Sequence, residues 1–175
     1  MKKNIFLTLL FFANFIVGAQ CRPCGPRTFD FNKNGNKEGW NYNNRNNNTV
    51  TVTDGLYVYS LDGTEKSPNI RRSHLTAKAH KYFHITLKNE SNADAILTNF
   101  KDENRKTIFL KPVMMSTDDS GFKTYTFNMA DVEEWVSHDT GINFRFVVNS
   151  KRTTLINGTI TIDKIVANNN PNPKE

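Results

Sequence analysis

From Thr49 onward the chain is a succession of nine short runs in which apolar and polar residues alternate, and this constrains the fold more than any other feature. The runs are "TVTVT", "GLYVYSL", "NIRRSHL", "KYFHITLKN", "DAILTNFKD", "TIFLKPVMM", "FKTYTFNM", "GINFRFVVN" and "GTITIDKIV". Successive side chains of a strand point to opposite faces, so a period of two marks a strand with one face buried. β-branched and aromatic residues dominate the runs, as strands favour. Turn formers such as "TDG", "LDGTEKSP", "NESNAD" and "STDDSG" separate them. Only "MADVEEWVSH" has room for a helical turn or two. Many short strands with almost no helix predict an all-β fold of two packed antiparallel sheets, a β-sandwich.

Alternation also sorts the faces. In "GINFRFVVN", Ile142, Phe144, Phe146 and Val148 point one way, and Asn143, Arg145 and Val147 the other. In "KYFHITLKN", Phe83, Ile85 and Leu87 oppose His84, Thr86 and Lys88. The apolar sets are expected in the core and the polar sets on the outer sheet surfaces.

Residues 1–19 read as a secretory signal peptide, with Lys2 and Lys3 ahead of an apolar run from Ile5 to Val17 and small residues at the cleavage point. That apolar run is short for a membrane span. Lipidation at Cys21 is the less favoured alternative, because Gln20 stands where a lipobox has a small residue. Residues 20–27 form an N-terminal segment carrying Cys21 and Cys24, the only cysteines, which read as a terminal staple or free thiols. Residues 28–167 make the sandwich, and the polar 168–175 is expected to be disordered. Removing the leader leaves 21 basic against 17 acidic residues, a balance of +4. An exported, mildly basic chain suits an acidic extracellular ligand better than nucleic acid.

The stretch "FDFNKNGNKEGW" carries the first half of a calcium-loop pattern in Asp30, Asn32, Asn34 and Gly35. The twelfth position of an EF-hand loop needs a bidentate carboxylate, and here it is Asn41. The alternative is a short strand with Phe29 and Phe31 on one face and Asp30 and Asn32 on the other, followed by an Asn-Gly turn.

Taken in order, "FDFNKNGNKEGW", "VTVTDGLYVYSLDGTEKSPNI", "HITLKN", "INFRFVVN" and "GTITIDKIV" resemble the galactose-binding-like jelly rolls that serve as carbohydrate-binding modules. The resemblance covers Thr28 to Ala167. It implies a secreted, monomeric, non-catalytic module that binds a polysaccharide. It also implies a structural calcium away from the sugar, held by Asp30, Asn32 and Asp163. The outward face collects Lys88, Asn99, Lys111 and Arg145, and the resemblance implies that Arg71 and Arg72 border the binding side. Guanidinium groups match the oxygens of carboxylates and sulfates, so these residues point to an acidic polysaccharide. Tyr57 and Tyr59 are expected to be exposed for stacking, whereas Trp40 and Trp135 belong to the core.

Two alternatives remain: a polysaccharide lyase on a jelly roll, and a cell-surface structural or adhesion domain. Lyase chemistry would draw on histidines such as His74, His80, His84 and His138, but the R-x-E-x-R and Q-I-H strands of jelly-roll alginate lyases are absent. Glu133 and Glu134 are adjacent in sequence and face apart, so they do not flank a glycosidic bond.

Overall fold

The computed structural model describes residues 26–43, 47–76, 79–117, 119–136 and 139–172. The leader, Cys21, Cys24, His138 and the last three residues lie outside them. The strands are β1 (Arg27–Phe29), β2 (Asn41–Tyr42), β3 (Thr49–Thr53), β4 (Leu56–Glu65), β5 (Asn69–Leu75), β6 (Tyr82–Ser91), β7 (Ala95–Lys101), β8 (Thr107–Phe109), β9 (Val113–Met114), β10 (Lys123–Asn128), β11 (Thr140–Val147) and β12 (Ile156–Asn168). One short helix, α1 (Glu133–Val136), falls where "MADVEEWVSH" had room for it.

The strands form two antiparallel sheets. The first runs β10-β6-β12-β4-β3, with β1 added beside β12. The second runs β2-β5-β11-β7-β8, with β9 also on β7. The β3–β4 hairpin closes on Asp54 and Gly55, both at positive φ, in the geometry that an Asp-Gly pair supplies. β12 is the long central strand of its sheet, and its alternation changes phase partway. Ile160 and Ile162 point inward, then Ile165 and Ala167 do. The register explains the change: Ile162 faces Leu87 and Lys164 faces Thr86, so Asp163 is the extra residue of a β-bulge.

Between the sheets the core is aromatic. Trp40, Trp135, Tyr57, Tyr59, Phe31, Phe83, Phe144 and Phe146 are all fully buried. Phe144 takes the centre, with Trp40, Phe83 and Phe127 around it at ring-centroid distances of 5.8, 5.8 and 4.8 Å.

Four sequence expectations are corrected here. Phe31 does not continue a strand with Phe29: β1 ends at Phe29, and Phe31 sits at a φ of 54°. It reaches the core from a loop instead and packs on Tyr57 at 5.2 Å. Tyr57 and Tyr59 are not exposed but have no accessible surface. In "LYVYSL" both parities are apolar, so alternation alone leaves the choice open, and burying the larger rings removes more apolar area from water. Burial drives the phenol pKa of both tyrosines upward, keeping them neutral. Val147, on the outward parity, is buried as well. At the C-terminus β12 extends through Asn168. The Asn170 carbonyl then accepts from His84 Nε2 at 2.9 Å, burying that histidine although it lies on an outward-facing position.

Candidate functional site

The second sheet places one side chain from each of five strands in a single row across its outer face. Asn41 of β2 is opposite Arg71 of β5, Arg71 opposite Asn143 of β11, Asn143 opposite Asn99 of β7, and Asn99 opposite Phe109 of β8. At the usual strand spacing this row is roughly 19 Å long. Two residues along β11, Arg145 occupies the next outward position, between Asn69 and Leu97.

A cleft of about 470 Å³ lies along this row. Among the described residues its lining includes five cationic residues, Arg71, Arg72, Lys101, Arg145 and Arg152, and no aspartate or glutamate. The polar floor is ordered. With its amide turned to satisfy its neighbours, Asn143 donates to Asn69 Oδ1 at 2.9 Å and accepts from Arg145 Nη2 at 3.0 Å. Lys101 Nζ donates to Thr107 Oγ1 at 2.6 Å. The guanidinium of Arg152 lies 5.3 Å from the ring centroid of Phe109, which is 45 % exposed. Burial lowers the Arg145 pKa from its ordinary value, Arg152 and Arg71 lower it further, and Glu65 partly offsets them. The arrangement concentrates positive potential where a bound anion would relieve it.

The structure brings together only some of the residues picked from sequence. Arg71, Asn99 and Arg145 line the cleft, with Asn99 in its floor at 5 % exposure. Lys88 does not join them: β6 belongs to the opposite sheet, where Lys88 pairs with Glu90 at 2.9 Å. Alternation gives a face within one strand but not which sheet the strand enters, and that is why Lys88 was misplaced. Lys111 is exposed in the β8–β9 connection and is not part of the lining.

Arg72 borders the cleft but is held by the protein itself. Its Nη1 donates to the Glu38 carbonyl, and its guanidinium lies over the Phe29 ring at 4.4 Å. Gly39 packs so closely that a Cβ there would run into the same guanidinium. Arg72 therefore braces the Glu38–Gly39–Trp40 turn against β5. Arg72→Ala is expected to cost roughly 1–3 kcal/mol, through the lost charged hydrogen bond and ring contact; thermal melting checks this.

Sequence reasoning passed over Asn143, Phe109, Lys101 and Arg152 as ligands. Asn143 was already on the outward parity of β11. In "TIF", an inward Ile108 turns Phe109 outward, but three residues are too few for a period to show. Arg152 lies in a connection, where no periodicity operates.

Of the expected calcium ligands, Asp30 and Asn32 are exposed in the loop after β1, and Asp163 is half-buried at the β12 bulge. Among the described residues no three His, Cys, Asp or Glu side chains cluster. Glu38 lies beside Asp30, and Phe31 and Asp30 offer its carboxylate backbone hydrogen bonds. The Glu38 pKa is raised, chiefly by burial and also by the nearby Asp30.

No protein-family profile matches the sequence, and no curated protein does. Solved structures match. A xylan-binding module, CBM15, aligns with a TM-score of 0.54 at 11 % identity, over 82 % of this chain and 95 % of its own. A variant of a family 29 carbohydrate-binding module aligns at 0.51 and 14 % identity, over 81 % and 90 %. The chain has the jelly-roll fold of these carbohydrate-binding modules. A cleaved adhesin domain of Lys-gingipain from Porphyromonas gingivalis shares the fold too, with a TM-score of 0.56 at 7 % identity over 83 % and 98 %. Among the described residues no helix is long and apolar enough to cross a membrane.

Proposed function

We propose that the chain is a secreted, non-catalytic module that binds an anionic polysaccharide along the outer face of the second sheet. The observation that carries this is the cleft with, among the described residues, five cations and no carboxylate in its lining. The row of amides in its floor offers donors and acceptors to neutral hydroxyls, and Phe109 offers a ring face. Two of its fold neighbours are carbohydrate-binding modules, which supports the reading. The leader read at residues 1–19 supports export.

An affinity-gel screen across acidic and neutral polysaccharides tests the proposal. Arg71→Ala should weaken retention by an acidic polymer roughly tenfold, the scale of one charged hydrogen bond. Lys88→Ala, on the opposite sheet, should leave retention unchanged. Equal losses from both substitutions would contradict the assignment to this face, and shortening of the polymer during the assay would contradict a non-catalytic role.

A structural calcium is proposed at the loop after β1, with Asp30, Asn32 and Asp163 as ligands. Backbone carbonyls would complete the oxygen shell that calcium takes. With calcium at a hundred times its Kd, adding excess chelator is expected to lower Tm by roughly 5–10 °C, while affinity for polysaccharide in the folded protein changes little. Superimposable melting curves with calcium and with chelator would remove the metal.

A further inference from the structure

Resting on that reading of the groove, we propose that its anionic subsite takes a sulfate ester on the polysaccharide rather than a uronate carboxylate. It lies where Arg145, Arg152 and Arg71 border the cleft beside Phe109.

A carboxylate is flat and is best matched by one guanidinium fork giving two parallel bonds in one plane. Two of the three arginines are held in place, each with N–H donors to spare. Arg145 gives Nη2 to Asn143 Oδ1 at 3.0 Å, and Arg152 lies across the Phe109 ring. What the three present together is charge and N–H donors arriving from different elements: Arg71 from β5, Arg145 from β11 and Arg152 from the β11–β12 connection. A sulfate ester carries three terminal oxygens directed away from one another, so separate donors from separate directions suit it better than a planar group.

The delivery of Arg152 is built in. The chain reverses after β11 through Asn149 and Ser150, both non-glycine residues at positive φ, 51° and 55°. A β-bridge between Val148 and Lys151 closes the turn. The Asp94 carboxylate accepts from the Asn149 N–H at 2.8 and 3.0 Å and fixes its base. Two non-glycine residues in the left-handed region are costly and persist where surrounding contacts enforce them, often at ligand sites. Here they carry the chain to Arg152, whose guanidinium lies over Phe109 at the end of the five-strand row. A sugar ring on Phe109 would then hold its substituent beside that guanidinium, with little side-chain ordering left to do on binding.

The test uses the full chain and three polymers of similar length: a sulfated galactan, the same galactan after desulfation, and polygalacturonate, with affinities measured by calorimetry at one ionic strength. The sulfated galactan should bind at least tenfold more tightly than either of the others. Arg152→Ala should remove most of that preference. Arg152→Lys should keep it within a few-fold, because charge and a single donor survive, whereas a planar fork would not. Polygalacturonate binding as tightly as the sulfated polymer, with Arg71→Ala still weakening both, overturns the sulfate assignment and leaves the groove in place. No binding to any of the three overturns the groove reading, and this inference with it.

Discussion

Arg145→Ala is expected to lower affinity for an anionic polysaccharide by roughly 10- to 100-fold, the range of 1.5–3 kcal/mol for hydrogen bonds to charged groups. Arg145 occupies the outward position of β11 next to the central row, half-buried, bonded to Asn143 and close to two further arginines. Removing it takes away a ligand donor and also loosens the amide in the floor. The residual affinity should depend less steeply on salt than that of the wild type, because one fewer cation is screened. Isothermal titration at three salt concentrations gives both quantities. Unchanged affinity and an unchanged salt slope would place the ligand elsewhere.

The second large effect concerns stability. Trp135→Ala is expected to cost about 3–5 kcal/mol, as for other large-to-small changes in a packed core. In a domain of this size that lowers Tm by roughly 10–15 °C. Trp135 is fully buried, donates from Nε1 to the His80 carbonyl at 2.9 Å, and meets Phe83 and Phe100 edge-on at 5.6 and 5.2 Å. Its cavity would open behind β7, whose Asn99 and Phe100 back the cleft. Binding measured well below the lowered Tm should remain within a few-fold of wild type. Loss of binding without loss of stability would instead make Trp135 a sugar platform, contrary to its burial.

The sheets were legible because a period of two says which residues of a strand share a face. That rule placed Ile142, Phe144 and Phe146 inward and Arg145 outward, and it separated Phe83, Ile85 and Leu87 from Lys88. It failed where its premise did. "LYVYSL" has two apolar parities, and the buried one was fixed by ring size and by neighbours from elsewhere in the chain, Phe31, Tyr42 and Phe146. His84 was assigned outward correctly, yet a C-terminal segment without any period covers it. The site was harder to read than the fold. Arg71, Asn99 and Arg145 meet because β5, β11 and β7 are neighbours in one sheet, and strand order is a long-range property that local pattern does not carry. Lys88 was misassigned for that reason. Arg72 does border the cleft, but its brace to the Glu38 carbonyl, in a turn 34 residues earlier, is a long-range contact that local pattern does not carry.

If ligand lies along the outer face of the second sheet, amide chemical shifts will report it residue by residue. The isotope-labelled chain would be titrated with an oligosaccharide cut from the tightest-binding acidic polymer. The largest shifts should fall on Arg71, Asn99, Phe109, Asn143 and Arg145, with Thr86, Lys88 and Thr159 of the opposite sheet unmoved. Shifts gathered on Thr86, Lys88 and Thr159, with the cationic row silent, would contradict the account.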